Sequence, residues 1–322
     1  MSVGGLRVSD GHCFFVTGCG KIKQRIELRI FIMSKKIVSI TNIPKISAIY
    51  FALLQYGYDF FQLQRDTKHV RAIQSFATTT KLSQFFFDVR QNTCEVYPYW
   101  PRAAILETAT FFLQSDCQQF ADYDIFHEQI MSASNISDIE RGELLWKWIS
   151  DFPTALDEVL SNNKFQRYLE WENEWIAEQN IKHKKDFYLI QECLDMCVSK
   201  YHSSVKDIQI VINPIKCVYS ADYHMVGSRF IFCSGAFQMD SIIHEFLHHV
   251  VHPYIVAHEQ IILESKATYP DIDVSYFLSG GNAGQLNAFE EYMVRELTKD
   301  VLIMNFPKDI DSYLENLAGQ AE

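Results

Sequence analysis

No stretch of this 322-residue chain is apolar for long enough to cross a bilayer. The longest such run, Ile46 to Leu54, falls far short of the roughly 20 residues that a spanning helix needs. The N-terminus also lacks the zones of a secretory leader. Basic residues are outnumbered, 29 against 40 acidic, giving a net charge of -11. Such a balance argues against nucleic acid as a partner, because phosphate binding needs a basic surface. The eight cysteines, at 13, 19, 94, 117, 193, 197, 217 and 233, form no C-x-x-C pair. That argues against a cysteine-ligated structural zinc and for buried thiols in a reducing compartment. Together these features predict a cytoplasmic protein with no membrane and no nucleic-acid partner. No internal repeat or low-complexity segment appears.

Apolar material is plentiful: 48% of residues are hydrophobic and 14% aromatic. That fills a large core in one large or two modest domains. Residues 1–32 differ from the rest in composition and precede Met33-Ser34-Lys35-Lys36, which reads like an ordinary start. The expectation is an upstream or non-native extension over 1–32, although Gln24 to Phe31 alternates like a strand. A mostly helical region of unassigned role follows over 33–163. It opens with a strand over Lys36 to Thr41. Its helices include one capped within Thr78–Thr80 that carries Phe85, Phe86 and Phe87, then Ala103 to Gln114 and Ile139 to Ile149. Asn162 to Ile176 is another helix, and its aromatic stripe is assigned to the core.

From 164 to 322 the pattern changes. Lys182 to Lys200 reads as an amphipathic helix. Asp207 to Ile215, Val218 to Val226 and Arg229 to Cys233 read as strands, with Gly227-Ser228 as a hairpin turn. Next comes His244-Glu245-Phe246-Leu247-His248, the pentad H-E-x-x-H, in an apolar helix-compatible stretch. Residues four apart on a helix share a face, with about 5–6 Å between side chains. Two imidazoles so placed can grip one metal ion, and Glu245 can act on a water which that ion polarises. Asp240 is the expected N-cap. Pro253 is expected to stop the helix near His252 after about three turns.

Catalytic zinc uses three protein ligands. The metzincin continuation H-x-x-G-x-x-H is absent, since Val251 and Tyr254 stand at its glycine and third histidine. His249 points about 100° away from His248 around the helix, and His252 reads as a pocket residue beside the ligands. A carboxylate from the helix predicted over Gln285 to Leu302 is the remaining source, either Glu290 or Glu291. Asn287 and Glu290 have capping-box spacing, and Glu291 has salt-bridge spacing to Arg295. Spacing alone leaves the choice open.

The pentad is the signature of zinc metallopeptidases, and the last 140 or so residues resemble a zincin of the gluzincin type. The ten residues His244 to Pro253 fit the register H-E-F-x-H-x-x-V-x-P, with Val251 and Pro253 in place. Glu291 to Arg295 fits the E-x-x-V-R segment that follows it in a group of uncharacterised bacterial predicted peptidases. The helical pattern of the N-terminal half, together with the zincin-like lobe of small mixed sheet and H-E-x-x-H helix that the resemblance implies, gives an α+β fold. The resemblance implies one zinc ion on His244, His248 and Glu291, with Glu245 as general base in the hydrolysis of a peptide or protein substrate. It further implies that the last strand before the metal helix is an edge to which an extended peptide could pair. Tyr254, His258 and Tyr276 are candidate oxyanion donors. The alternative is a catalytically inactive zincin-fold protein serving regulation or protein interaction.

Overall fold

The computed structural model describes residues 38–56, 67–76, 82, 84–93, 103–113, 149–216, 218, 221–265 and 282–320. The expectations on residues 1–32, on the Thr78–Thr80 cap, on most of Ile139 to Ile149 and on Tyr276 lie outside them. The described chain runs β1 (Ile40–Thr41), α1 (Pro44–Leu54), α2 (Thr67–Gln74), α3 (Gln84–Thr93), α4 (Ala104–Thr110), α5 (Phe152–Leu160), α6 (Asn163–Lys182) and α7 (Lys184–Lys200). It continues through β2 (Asp207–Ile212), β3 (Ala221–Val226), β4 (Arg229–Ser234), α8 (Met239–Ala257), α9 (Glu259–Glu264), α10 (Asn282–Leu302) and α11 (Ile310–Gln320). This is an α+β protein, mostly helical with one small mixed sheet. No described helix is long and apolar enough to cross a membrane. Two compact units divide the chain: Ile40–Lys182 with Gln209–Phe237, and His183–Ile208 with Gln238–Glu322.

In the first unit the long apolar run becomes α1, the axis of the core. Pro44 opens it, at a position where a missing N–H costs nothing. Every residue from Ile46 to Leu54 is buried, packed against α3, α4, α5 and α6. The aromatic stripes enter this core as expected through Phe85, Phe86, Phe165 and Tyr168, whereas Phe87 faces outward. Asn162 caps α6, its Oδ1 accepting from the backbone N–H of Lys164 at 2.8 Å and Phe165 at 3.3 Å. That helix runs on to Lys182, past the expected end at Ile176, because no glycine or proline intervenes. By contrast α4 stops at Thr110, where the Phe111 and Phe112 N–H groups turn to carbonyls three residues back.

The sheet of this unit has the order β1-β2-β4-β3. Strand β1 lies parallel to β2, with Ile40 opposite Ile210. Strands β3 and β4 form an antiparallel hairpin closed by Val226 and Arg229. At its tip Gly227 has φ +61, a sign that glycine adopts without a Cβ penalty. The expectation for the last strand is corrected here. β4 is an inner strand, flanked by β2 and β3, and its buried run Phe230 to Ser234 suits that place. A peptide cannot add to it.

In the second unit α8 packs most extensively on α10, with α7 and α9 also in contact. Three local expectations change. Extended Gln238 precedes α8, so Asp240 lies in the first turn rather than at the cap, where its charge still complements the helix N-terminus. Pro253 does not end the helix, which continues to Ala257. The proline removes one backbone hydrogen bond on an exposed face, while Tyr254 and Ile255 beyond it are buried and hold the last turn. Because α10 begins at Asn282, Asn287 and Glu290 are interior helix residues and make no capping box.

Candidate metal centre

Helix α8 places His244 and His248 one turn apart, and α10 brings Glu291 to them. The two imidazole Nε2 atoms are 3.1 Å apart, and Glu291 Oε2 stands 3.6 Å from each. These residues form a group whose ligand atoms all face one another. Four-coordinate zinc with bonds of about 2.0–2.1 Å needs ligand atoms about 3.3 Å apart, and the three separations bracket that value. A contact of 3.6 Å is too long for a hydrogen bond, so hydrogen bonding does not account for the approach of Glu291 to both rings. The donor set, two imidazoles and one carboxylate, also suits zinc.

Burial sharpens the chemistry. His248, Glu290 and Glu291 are at most 3% exposed and Glu245 7%, while the His244 side chain is 19% exposed. Solvent therefore reaches the group through His244. Glu245 on α8 and Glu290 and Glu291 on α10 are all buried, and Arg295 pairs with Glu291. Buried carboxylates demand compensating positive charge.

The two adjacent glutamates hold different places. Glu291 Oε1 accepts from Arg295 Nε at 2.8 Å, which leaves Oε2 turned to the imidazoles. Glu290 lies at the opposite nitrogen of the His248 ring: its Oε1 is 2.7 Å from His248 Nδ1 and its Oε2 3.0 Å from His252 Nδ1. The pairing of Glu291 with Arg295 and its approach to the two histidines thus coexist in one side chain. His249 turns away to Ser203 Oγ at 3.1 Å; burial, then the nearby His252, lower its pKa. Tyr254 and His258 stack on each other at 4.1 Å between ring centroids. Burial raises the Tyr254 hydroxyl pKa, helped by Glu315 and Asp311. Those carboxylates belong to α11, so the hydroxyl lies near that helix.

A second polar cluster, in the first unit, has no counterpart in the sequence reading. Buried Glu107 on α4 meets Lys216 Nζ at 2.7 Å and His224 Nε2 at 2.8 Å. Tyr50 donates to Glu107, Lys216 pairs with Asp222, and Cys233 lies within reach of Glu107 and His224. Burial pushes the Glu107 carboxyl pKa up, but Lys216 and His224 outweigh it and hold the value at about 2. Lys216 thus brings an ammonium to one oxygen of Glu107 while His224 meets the other. More than a hundred residues separate Glu107 from Lys216 and His224 in sequence, so no local motif announces this cluster.

No family model, curated protein or solved structure matches the chain.

Proposed function

We propose that this protein is a zinc-dependent metallopeptidase acting on peptide or protein substrates, with one zinc ion held by His244, His248 and Glu291. The observation that carries the proposal is the equidistant stand-off of Glu291 Oε2, 3.6 Å from two Nε2 atoms that are themselves 3.1 Å apart. The H-E-x-x-H pentad and its resemblance to gluzincins supply the reaction class.

Bound zinc would supply Lewis acidity towards a carbonyl and lower the pKa of a coordinated water to about 7. His244 and His248 bring their Nε2 atoms within 3.1 Å of each other, and Arg295 holds Glu291 with Oε2 turned to both. Glu245, buried and next to His244 in sequence, would be the group that takes up the water's proton and returns it to the leaving amine. Its buried setting strengthens this proton transfer by excluding competing water.

Metal analysis of purified protein tests the binding half, with one zinc per chain expected. Glu245→Gln tests the chemistry: it should retain zinc and lose about 100-fold or more in the cleavage of a mixture of unstructured peptides. A zinc-loaded Glu245→Gln protein that cleaves as fast as wild type would overturn the mechanism.

A further inference from the structure

The geometry points to Glu290 as the positioning residue that fixes His248 for the metal, an inference that rests on the zinc reading above. An imidazole can offer only one lone pair to a cation, and the hydrogen bond at its other nitrogen decides which. At His248 that other nitrogen, Nδ1, is 2.7 Å from Glu290 Oε1. A carboxylate there accepts the Nδ1–H and leaves the Nε2 lone pair facing His244 and Glu291. Carboxylate acceptors of this kind orient ligand histidines and raise their basicity.

Glu290 is itself held. Its second oxygen is 3.0 Å from His252 Nδ1, one helical turn beyond His248 on α8. The carboxylate therefore bridges two imidazoles of the same helix from α10, and both of its oxygens have a stated place. Glu290 is 3% exposed, so water cannot freely replace it as acceptor. The neighbouring pair thus divides the work: Glu291 faces the ion, and Glu290 backs the ligand. His252 completes the bridge while leaving a quarter of its side chain exposed.

Three variants and two readouts test this. Glu290→Leu removes the acceptor, and Glu290→Gln restores an oxygen of the same reach without the charge. Zinc dissociation constants from chelator competition should weaken by about 10–100-fold in Glu290→Leu, with Glu290→Gln between it and wild type. In zinc-loaded protein the His248 Nδ1–H proton resonance should lie far downfield in wild type and move upfield in both variants. His252→Gln keeps the main acceptor but frees its second oxygen, so it should weaken zinc by less than Glu290→Leu. It also serves if the leucine protein does not fold. Glu290→Gln and His252→Gln proteins that both bind zinc as tightly as wild type, with the Nδ1–H resonance unmoved, overturn the inference. Failure of the wild-type protein to bind zinc is a separate result and overturns the function proposed above instead.

Discussion

Arg295 Nε donates to Glu291 Oε1 at 2.8 Å, and this bond decides which oxygen Glu291 turns towards His244 and His248. The two residues are one turn apart on α10, so this bond is made within a single helix. Arg295→Met keeps the length of the side chain and deletes the donor. Zinc affinity should fall by about tenfold, read by chelator competition. An unchanged dissociation constant would remove Arg295 from the support of the site.

Zinc should also stabilise the fold. A ligand that binds only the native state adds about 2.7 kcal/mol at a free concentration 100 times its dissociation constant. Thermal unfolding should therefore shift upwards with zinc and return on chelation. His248→Ala should abolish the shift. His249→Ala should keep it, because that ring turns to Ser203.

Lys216 holds the buried ionic cluster of the first unit together. Lys216→Met leaves Glu107 and Asp222 without their shared ammonium, which should cost about 3–5 kcal/mol in urea unfolding. Glu107 is held at about 2, below its ordinary value of 4.5. The stability it contributes is therefore present above that ordinary value and lost as pH falls towards 2. In Lys216→Met this acid limb should shrink. A variant with the stability and acid limb of wild type would show that the cluster holds nothing in place.

Glu172 should act in the opposite sense. It is buried at the meeting of α1, α6 and the ends of β1 and β2, where burial pushes its pKa up to about 7 against donors that include Ser47, Asn42 and Tyr168. Asn213 donates to it as well. Its folded value lies above the unfolded one, so its contribution is present below pH 4.5 and fades as pH rises through 7, by at most about 3 kcal/mol. The urea midpoint of Glu172→Gln should fall less between pH 5 and 8 than that of wild type. Equal slopes for the two proteins would refute the assignment.

Local sequence determined a good deal of this protein. The i, i+4 spacing of His244 and His248 placed both rings on one helical face, and periodicity located α7, α8 and α10. Gly227-Ser228 placed the β3–β4 turn, because a two-residue hairpin favours a residue that tolerates positive φ. Helix ends were less legible. The last turn of α8 survives Pro253 through the burial of Tyr254 and Ile255, and α6 outran its apolar stripe. Burial and packing are not written in a short window of residues.

Tertiary structure alone decided three matters. The packing of α10 on α8 gave Glu291 and Glu290 their separate places, since neighbours on a helix point about 100° apart and only the facing helix says which one meets the two Nε2 atoms and which the Nδ1 atoms. Strand order put β4 inside the sheet, because hydrogen-bond partners come from β2 as well as from the hairpin. The ionic cluster around Glu107 joins residues far apart in the chain, and such an arrangement exists only once the fold has closed around it.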